Sequence, residues 1–139
     1  MKILSATKEI EIRFSEVDSM GIVWHGAYAK YFEDAREAFG KKYGIGYLDI
    51  KRNGYYAPLV NLDFSFKKPL TYGDKAIVEA IYEPCAAAKI KYKYNIFDLS
   101  QKIVIATGSS VQVFLNSDYQ LEWNSPEFYL EWKQKYNLL

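Results

Sequence analysis

An α+β domain is predicted, built as a curved, mostly antiparallel five-stranded sheet wrapped around one long central helix, with a second helix at the C-terminus. Three features of the 139-residue chain point to it. An amphipathic pattern of helical period runs through residues 27–44, one segment of period two precedes it, and four more follow. A helix of that length has to lie against something broad, and a sheet curled over its aromatic stripe meets the need better than a sandwich.

The first strand is expected in EIEIRF, where Glu9, Glu11 and Arg13 alternate with Ile10, Ile12 and Phe14. In the helix, Tyr28, Tyr31, Phe32, Ala35 and Phe39 recur at steps of three and four, and Lys30, Glu33, Asp34, Glu37 and Lys41 take the opposite face. At ~1.5 Å per residue it spans roughly 25 Å, and Gly44 supplies the permissive residue wanted just past its end. Beyond Tyr55 the period returns to two: Val60, Leu62, Phe64 and Phe66 alternate with Asn61, Asp63, Ser65 and Lys67, and KPLTYGD turns the chain through Pro69 and Gly73. KAIVEAIYE, KIKYKYNIF and KIVIATGSSVQVFL supply three more strands, joined by short polar connections such as DLSQ that suit hairpins, with Gly108 as a bulge candidate. Ser125 is placed to cap the last helix, with Pro126 at its first position.

This length fits a single domain, residues 1–139, with room for a real core. Eighteen basic against seventeen acidic residues leave a formal charge of +1, which provides no general field for nucleic acid or an anionic membrane, so neither is an expected partner. No apolar run approaches membrane-spanning length, and the N-terminal apolar stretch is too short for a signal-peptide core, so a cytoplasmic location is expected. A single cysteine excludes an internal disulfide, and one Cys with one His cannot build a zinc site of nitrogen and sulfur donors; composition leaves an all-carboxylate metal site open.

The stretch VDSMGIVWHGAY, Val17 to Tyr28, holds the only histidine. Asp18 follows the first strand, Gly21 lets the backbone bend, and His25 and Gly26 stand at or within the first helical turn. That turn carries unpaired N–H groups at the positive end of the helix dipole, a ready place for an oxyanion, and glycine at 26 removes a side chain that would block approach. A neighbouring carboxylate suits acyl chemistry on a thioester, because a thiolate leaves from a parent thiol of pKa about 8.5 and needs no strong general acid. By pattern alone Asp18 reads first as a turn or cap former, His25 as a loop residue, and Met20, Ile22, Val23 and Trp24 as core.

The segment IRFSEVDSMGIVWHGAYAKYFEDAREAF resembles the N-terminal signature of the hotdog-fold acyl-CoA thioesterases related to 4-hydroxybenzoyl-CoA thioesterase. Asp18, Gly21, Val23, Trp24, His25 and Tyr28 carry it, followed by Phe32, Glu33 and Arg36 on the helix; FSFKKPLTYGD resembles the family's second landmark. The resemblance covers residues 10–115. It implies hydrolysis of an acyl-CoA thioester to a carboxylic acid and free coenzyme A, with Asp18 as nucleophile or general base. It also implies a backbone N–H near His25 as oxyanion donor, an assisting His25 side chain, and Trp24, Gly26 and Tyr28 positioning the substrate. It implies a homodimer or homotetramer with the acyl pocket between subunits, so that PLVNLDF, with Leu59 and Val60, lines it from the partner. No metal or redox cofactor is expected, coenzyme A entering only as part of the substrate. Ala27 stands where the family commonly has Asn.

Alternatives within the resemblance are an acyl-carrier-protein thioesterase, a hotdog hydratase and a non-catalytic acyl-thioester binding protein. Lys89, Lys91 and Lys93, or Lys67 and Lys68, are candidates for the coenzyme A phosphates, of which Lys89 is retained, although an alternating lysine row is more often a solvated sheet face. Cys85 has nothing nearby in sequence to lower its pKa and reads as a packing or loop residue.

Overall fold

The aromatic stripe of the long helix organises the molecule. In the computed structural model, which describes residues 3–139, Tyr28–Tyr43 forms helix α1 and buries Tyr28, Tyr31, Phe32, Ala35 and Phe39. Strand β1 (Ser5–Glu11) precedes it; helix α2 (Tyr47–Arg52), strands β2 (Leu59–Phe66), β3 (Lys75–Glu83), β4 (Lys89–Asp98) and β5 (Val104–Val113) and helix α3 (Glu127–Lys135) follow. The strands form one sheet in the order β1-β3-β4-β5-β2, every neighbouring pair antiparallel. Its inner face packs on α1 through the buried members of the alternating segments: Ala76, Val78 and Ala80 of β3, and Ile90, Tyr92, Tyr94 and Ile96 of β4.

Helix position is set by stacking. The Phe32 ring is sandwiched between Tyr94, at 4.6 Å and 8° between planes, and Phe64, at 5.4 Å and 18°. Gly108 lies beneath it, in register between Tyr94 of β4 and Phe64 of β2. It makes no bulge: the register shifts fall at Leu59/Asn61 and Ile96/Phe97. The glycine is needed because a Cβ there would meet the Phe32 ring and lie 2.5 Å from the Asp63 carbonyl oxygen. Gly44 ends α1 at φ +71° with its N–H on the Gly40 carbonyl, as expected for a C-terminal glycine.

The boundaries differ from expectation in three places. β1 begins at Ser5 and stops at Glu11; Ile12 stays buried, but Phe14 turns out into a 3₁₀ turn, Phe14–Glu16, and is exposed. The short helix α2 was not anticipated, since GIGYLD has too few residues to show a helical period. Asp49 closes its first turn by accepting from the Gly46 N–H at 2.8 Å. Pro126 is the N-cap of α3, with ψ 149°, and Ser125 makes no capping bond. The DLSQ connection is a hairpin as expected, its Asp98 Oδ1 accepting from the N–H groups of Lys102 and Ile103.

α3 closes one end of the sheet. Tyr82 donates to the Tyr129 hydroxyl at 2.5 Å, Tyr129 donates to the Lys89 carbonyl at 3.0 Å, and Trp132 Nε1 donates to the Tyr43 carbonyl at 2.8 Å. Lys133, 3% exposed, lies with its ammonium over the Tyr129 ring and donates to the Cys85 carbonyl at 2.6 Å. Cys85 is half-buried in this packing.

Gly108→Ala is expected to lower stability by roughly 1–3 kcal/mol, because one of the two clashing groups is backbone and cannot swing away. Urea denaturation checks it; a midpoint equal to the parent's would mean that the Phe32 sandwich has slack.

Candidate active site

A small antiparallel turn carries Asp18. Val17 bridges to Val23 and Ile22 to Thr71, the Asp18 N–H donates to the Ile22 carbonyl at 2.8 Å, and the Val23 N–H donates to the Leu70 carbonyl at 2.8 Å. Gly21 makes the reversal at φ +75°. The Asp18 carboxylate is exposed, and its Oδ1 accepts from the N–H groups of Met20 at 2.8 Å and Ile22 at 3.4 Å. Asp18 is therefore a turn former, as its pattern alone suggested, but both bonds fall on Oδ1 and leave Oδ2 without a hydrogen-bond partner among the described residues.

His25, Gly26 and Ala27 form a 3₁₀ turn that leads directly into α1. Ala27 and Tyr28 spend their N–H groups on the Trp24 and His25 carbonyls. The His25 and Gly26 N–H groups, at the head of the turn, have no hydrogen-bond partner among the described residues. These are the donors expected for an oxyanion. Gly26 is also required by packing: the space its side chain would fill belongs to the Trp24 indole, which a Cβ would strike. Trp24 in turn meets the His25 imidazole edge-on, ring centroids 5.6 Å apart. Ala27, where the family commonly has Asn, is wholly buried, and the turn is closed by the backbone bonds of Ala27 and Tyr28.

One residue outside the expected set ties both pieces together. Glu16, 6% exposed, accepts on Oε1 from the Arg13 N–H at 2.9 Å and the Tyr31 hydroxyl at 3.1 Å, and its carbonyl accepts from the Trp24 N–H at 3.1 Å. It anchors the strand exit, the Asp18 turn and the 3₁₀ turn to the second turn of α1. Burial, reinforced by the Glu16 charge, pushes the Tyr31 hydroxyl up, so it stays a donor at neutral pH. The contact joins residues fifteen positions apart, and the sequence signalled it only as an acidic residue at a core-facing position.

His25 also borders a cavity of about 310 Å³ together with Ile22, Tyr28, Phe66, Lys67 and Lys68. Tyr28 is buried, its ring against Phe66 at 4.8 Å. Leu59 and Val60 stand at the other end of β2, roughly 23 Å away at ~3.3 Å per residue, and Lys89 opens β4 opposite Val113, close to α3. Within one chain Trp24, His25, Gly26 and Tyr28 follow one another into α1, the Asp18 turn adjoins them through the Val17–Val23 bridge, and Lys67 and Lys68 lie beside His25 at the cavity, away from Lys89. No group of three or more metal-ligating side chains occurs among the described residues.

A family model, the Thioesterase-like superfamily, matches residues 12–132. The chain belongs to that superfamily. It is 39% identical over 103 residues to the candidate acyl-CoA thioesterase YneP of Bacillus subtilis, covering 74% of this chain and 75% of that one. It is 30% identical over 112 residues to the acyl-acyl carrier protein thioesterase ATL3 of Arabidopsis thaliana, covering 81% of this chain but 59% of that protein. The crystal structure of DHNA-CoA thioesterase from Staphylococcus aureus superposes with a TM-score of 0.84 at 30% identity, over 96% of this chain and 91% of that one. The superfamily's hotdog fold is the one expected, and its named members here are thioester hydrolases.

Glu16→Ala is expected to cost about 2 kcal/mol, since it strands the buried Tyr31 hydroxyl and removes the acceptor of the partly buried Arg13 N–H, whereas Glu16→Gln keeps an acceptor for both and costs less. Thermal unfolding of the two variants measures the gap; equal losses would place the effect in the charge and not in the bonds.

Proposed function

We propose that this chain hydrolyses acyl-CoA thioesters, with Asp18 as the catalytic carboxylate and the N–H groups of His25 and Gly26 as the oxyanion donors. The observation that carries the reading is the pairing, on one Glu16-anchored scaffold, of a carboxylate with a free oxygen and a helix-leading turn with two unused donors. The thioester carbonyl is held by donors preorganised on the α1 dipole, and the carboxylate either attacks it or takes a proton from the attacking water. The product thiolate needs no strong acid to leave. Coenzyme A is the carrier in this reading, its phosphates met by Lys67 and Lys68 at the rim of the His25 cavity; no metal or redox cofactor takes part.

A homo-oligomer completes the site. β2 is an edge strand whose outer side has no partner in the single chain, and Val60 is exposed on it. Pairing two such edges antiparallel about a two-fold axis sets Leu59 and Val60 of one subunit beside Phe66 of the other, next to the His25 cavity. This reading also gives the exposed Asp18 turn a protein wall. Similarity to ATL3 favours one second reading, in which the acyl group arrives on an acyl carrier protein. Equal acyl groups on the two carriers separate these by kcat/KM.

Asp18→Asn is expected to reduce thiol release from acyl-CoA by roughly 10²- to 10⁴-fold, followed with a thiol-trapping reagent. Full activity in this variant removes Asp18 from the chemistry, and acyl-CoA binding without thiol release in the parent would make the chain a binding protein.

For the carrier end, Lys67→Ala with Lys68→Ala is expected to raise KM for acyl-CoA several-fold with little change in kcat, and to weaken the dependence of KM on ionic strength. An unaltered salt dependence would return the phosphates to other residues, Lys89 among them.

A further inference from the structure

α1 packs on β1, β3 and β4. Beyond it, α2 and the Tyr55–Ala57 segment roof a cavity of about 690 Å³ over Ile90 and Tyr92 of β4 and Gln112 of β5. The charged groups around it are mostly satisfied. Glu37 pairs with Lys41 at 3.4 Å and Asp49 pairs with Arg52, while Glu33 is exposed to water. Arg36 is half-buried and has no carboxylate within ion-pairing distance among the described residues; Nη1 donates to the Tyr94 hydroxyl at 3.5 Å, and that hydroxyl is 2.6 Å from Ser110 Oγ.

Tyr92 is the less ordinary group. It is 2% exposed, and its hydroxyl makes no hydrogen bond among the described residues. No fully enclosed polar side-chain atom among the described residues is without a partner, so the Tyr92 oxygen has to open on the cavity that its ring lines. Arg36 reaches the hydroxyl of Tyr94, whose ring centroid lies 6.2 Å from that of Tyr92, and Arg36 and Tyr92 both line the cavity. Two donors, one of them cationic, therefore converge on a space walled by Ile45, Ile50, Ile90 and Tyr55.

We propose that this cavity takes an aliphatic chain ending in a carboxylate, with Arg36 and the Tyr92 hydroxyl as its donors. A guanidinium matches a carboxylate through paired N–H bonds, and the apolar walls suit methylenes. The carboxylate is either the far end of a substrate's acyl group, which rests on the thioesterase reading, or that of a free alkanoate, which does not.

Two matched pairs test it on the intact protein: octanoate against 1-octanol by calorimetry, and suberyl-CoA against octanoyl-CoA by kcat/KM. A preference of tenfold or more for the carboxylate is expected in at least one pair, and its fall to within twofold of unity in both Arg36→Gln and Tyr92→Phe. Preference among the esters assigns the acyl end; preference confined to the free pair assigns a free alkanoate. Tyr92→Phe keeps the ring and removes a hydroxyl without a partner among the described residues, so its Tm should equal or exceed the parent's and its lost preference cannot be ascribed to unfolding. No preference in either pair, or a preference that survives both substitutions, overturns the proposal. If neither ester is hydrolysed, the thioesterase reading fails and the free pair still decides this one.

Discussion

The sandwich of Phe32 between Tyr94 and Phe64 is the contact on which the rest of the architecture rests. It joins the central helix to β4 and β2 at once, across the glycine that lets the ring sit down on the sheet. With α1 pinned there, its N-terminal turn has one location, above the Phe66 end of β2, and His25 borders a cavity with the residues where that strand runs out. Glu16 then ties the Asp18 turn to the same helix. The candidate site inherits its geometry from core packing through two short links, and not from the loop itself, which is exposed and would wander without them.

Much of this architecture was legible because the two periods are distinct. Steps of three and four in residues 27–44 and alternation in the later segments each survive in the burial pattern, with Lys75–Glu83 matching the expected strand throughout. What failed were local rules with little repetition behind them. Phe14 continued an alternation, yet the chain needed to turn there so that Glu16 could reach Tyr31. Pro126 fits the first helical position, but its extended ψ makes it the cap. α2 covers six residues, fewer than two turns, and no periodicity can register over that length. Strand order was also hidden, since pairing β1 with β3 and β2 with β5 follows from the wrapping of the helix.

The candidate site was legible in its chemistry and less so in its connections. Asp18, His25 and Gly26 share one contiguous stretch, and the fold keeps them on adjoining turns. Lys89 and Lys67 looked alike as sequence, each a basic residue in or beside a strand. Only the topology separates them, carrying β2 to the helix N-terminus and leaving the start of β4 beside α3. Glu16 was invisible as a functional candidate because its partner lies fifteen residues on, across a turn whose shape no local pattern encodes.

The two cavities lie at opposite ends of one helix. Arg36 is eleven residues beyond His25, roughly 16 Å along α1 at ~1.5 Å per residue, so in a single chain the carboxylate-bearing turn and the Arg36 cavity are well separated. In the proposed dimer, a two-fold axis through paired β2 edges changes that relation, because two copies of α1 related by it run antiparallel, the N-terminal turn of each on the side of the other's later turns. The proposed catalytic turn of one subunit and the proposed acyl-end cavity of its partner then become neighbours. On this arrangement the single chain holds two halves of different sites. Exposure of Asp18 in the single chain is what the proposed dimer requires of a half-site, and the unpaired edge of β2 is where that proposal places the partner.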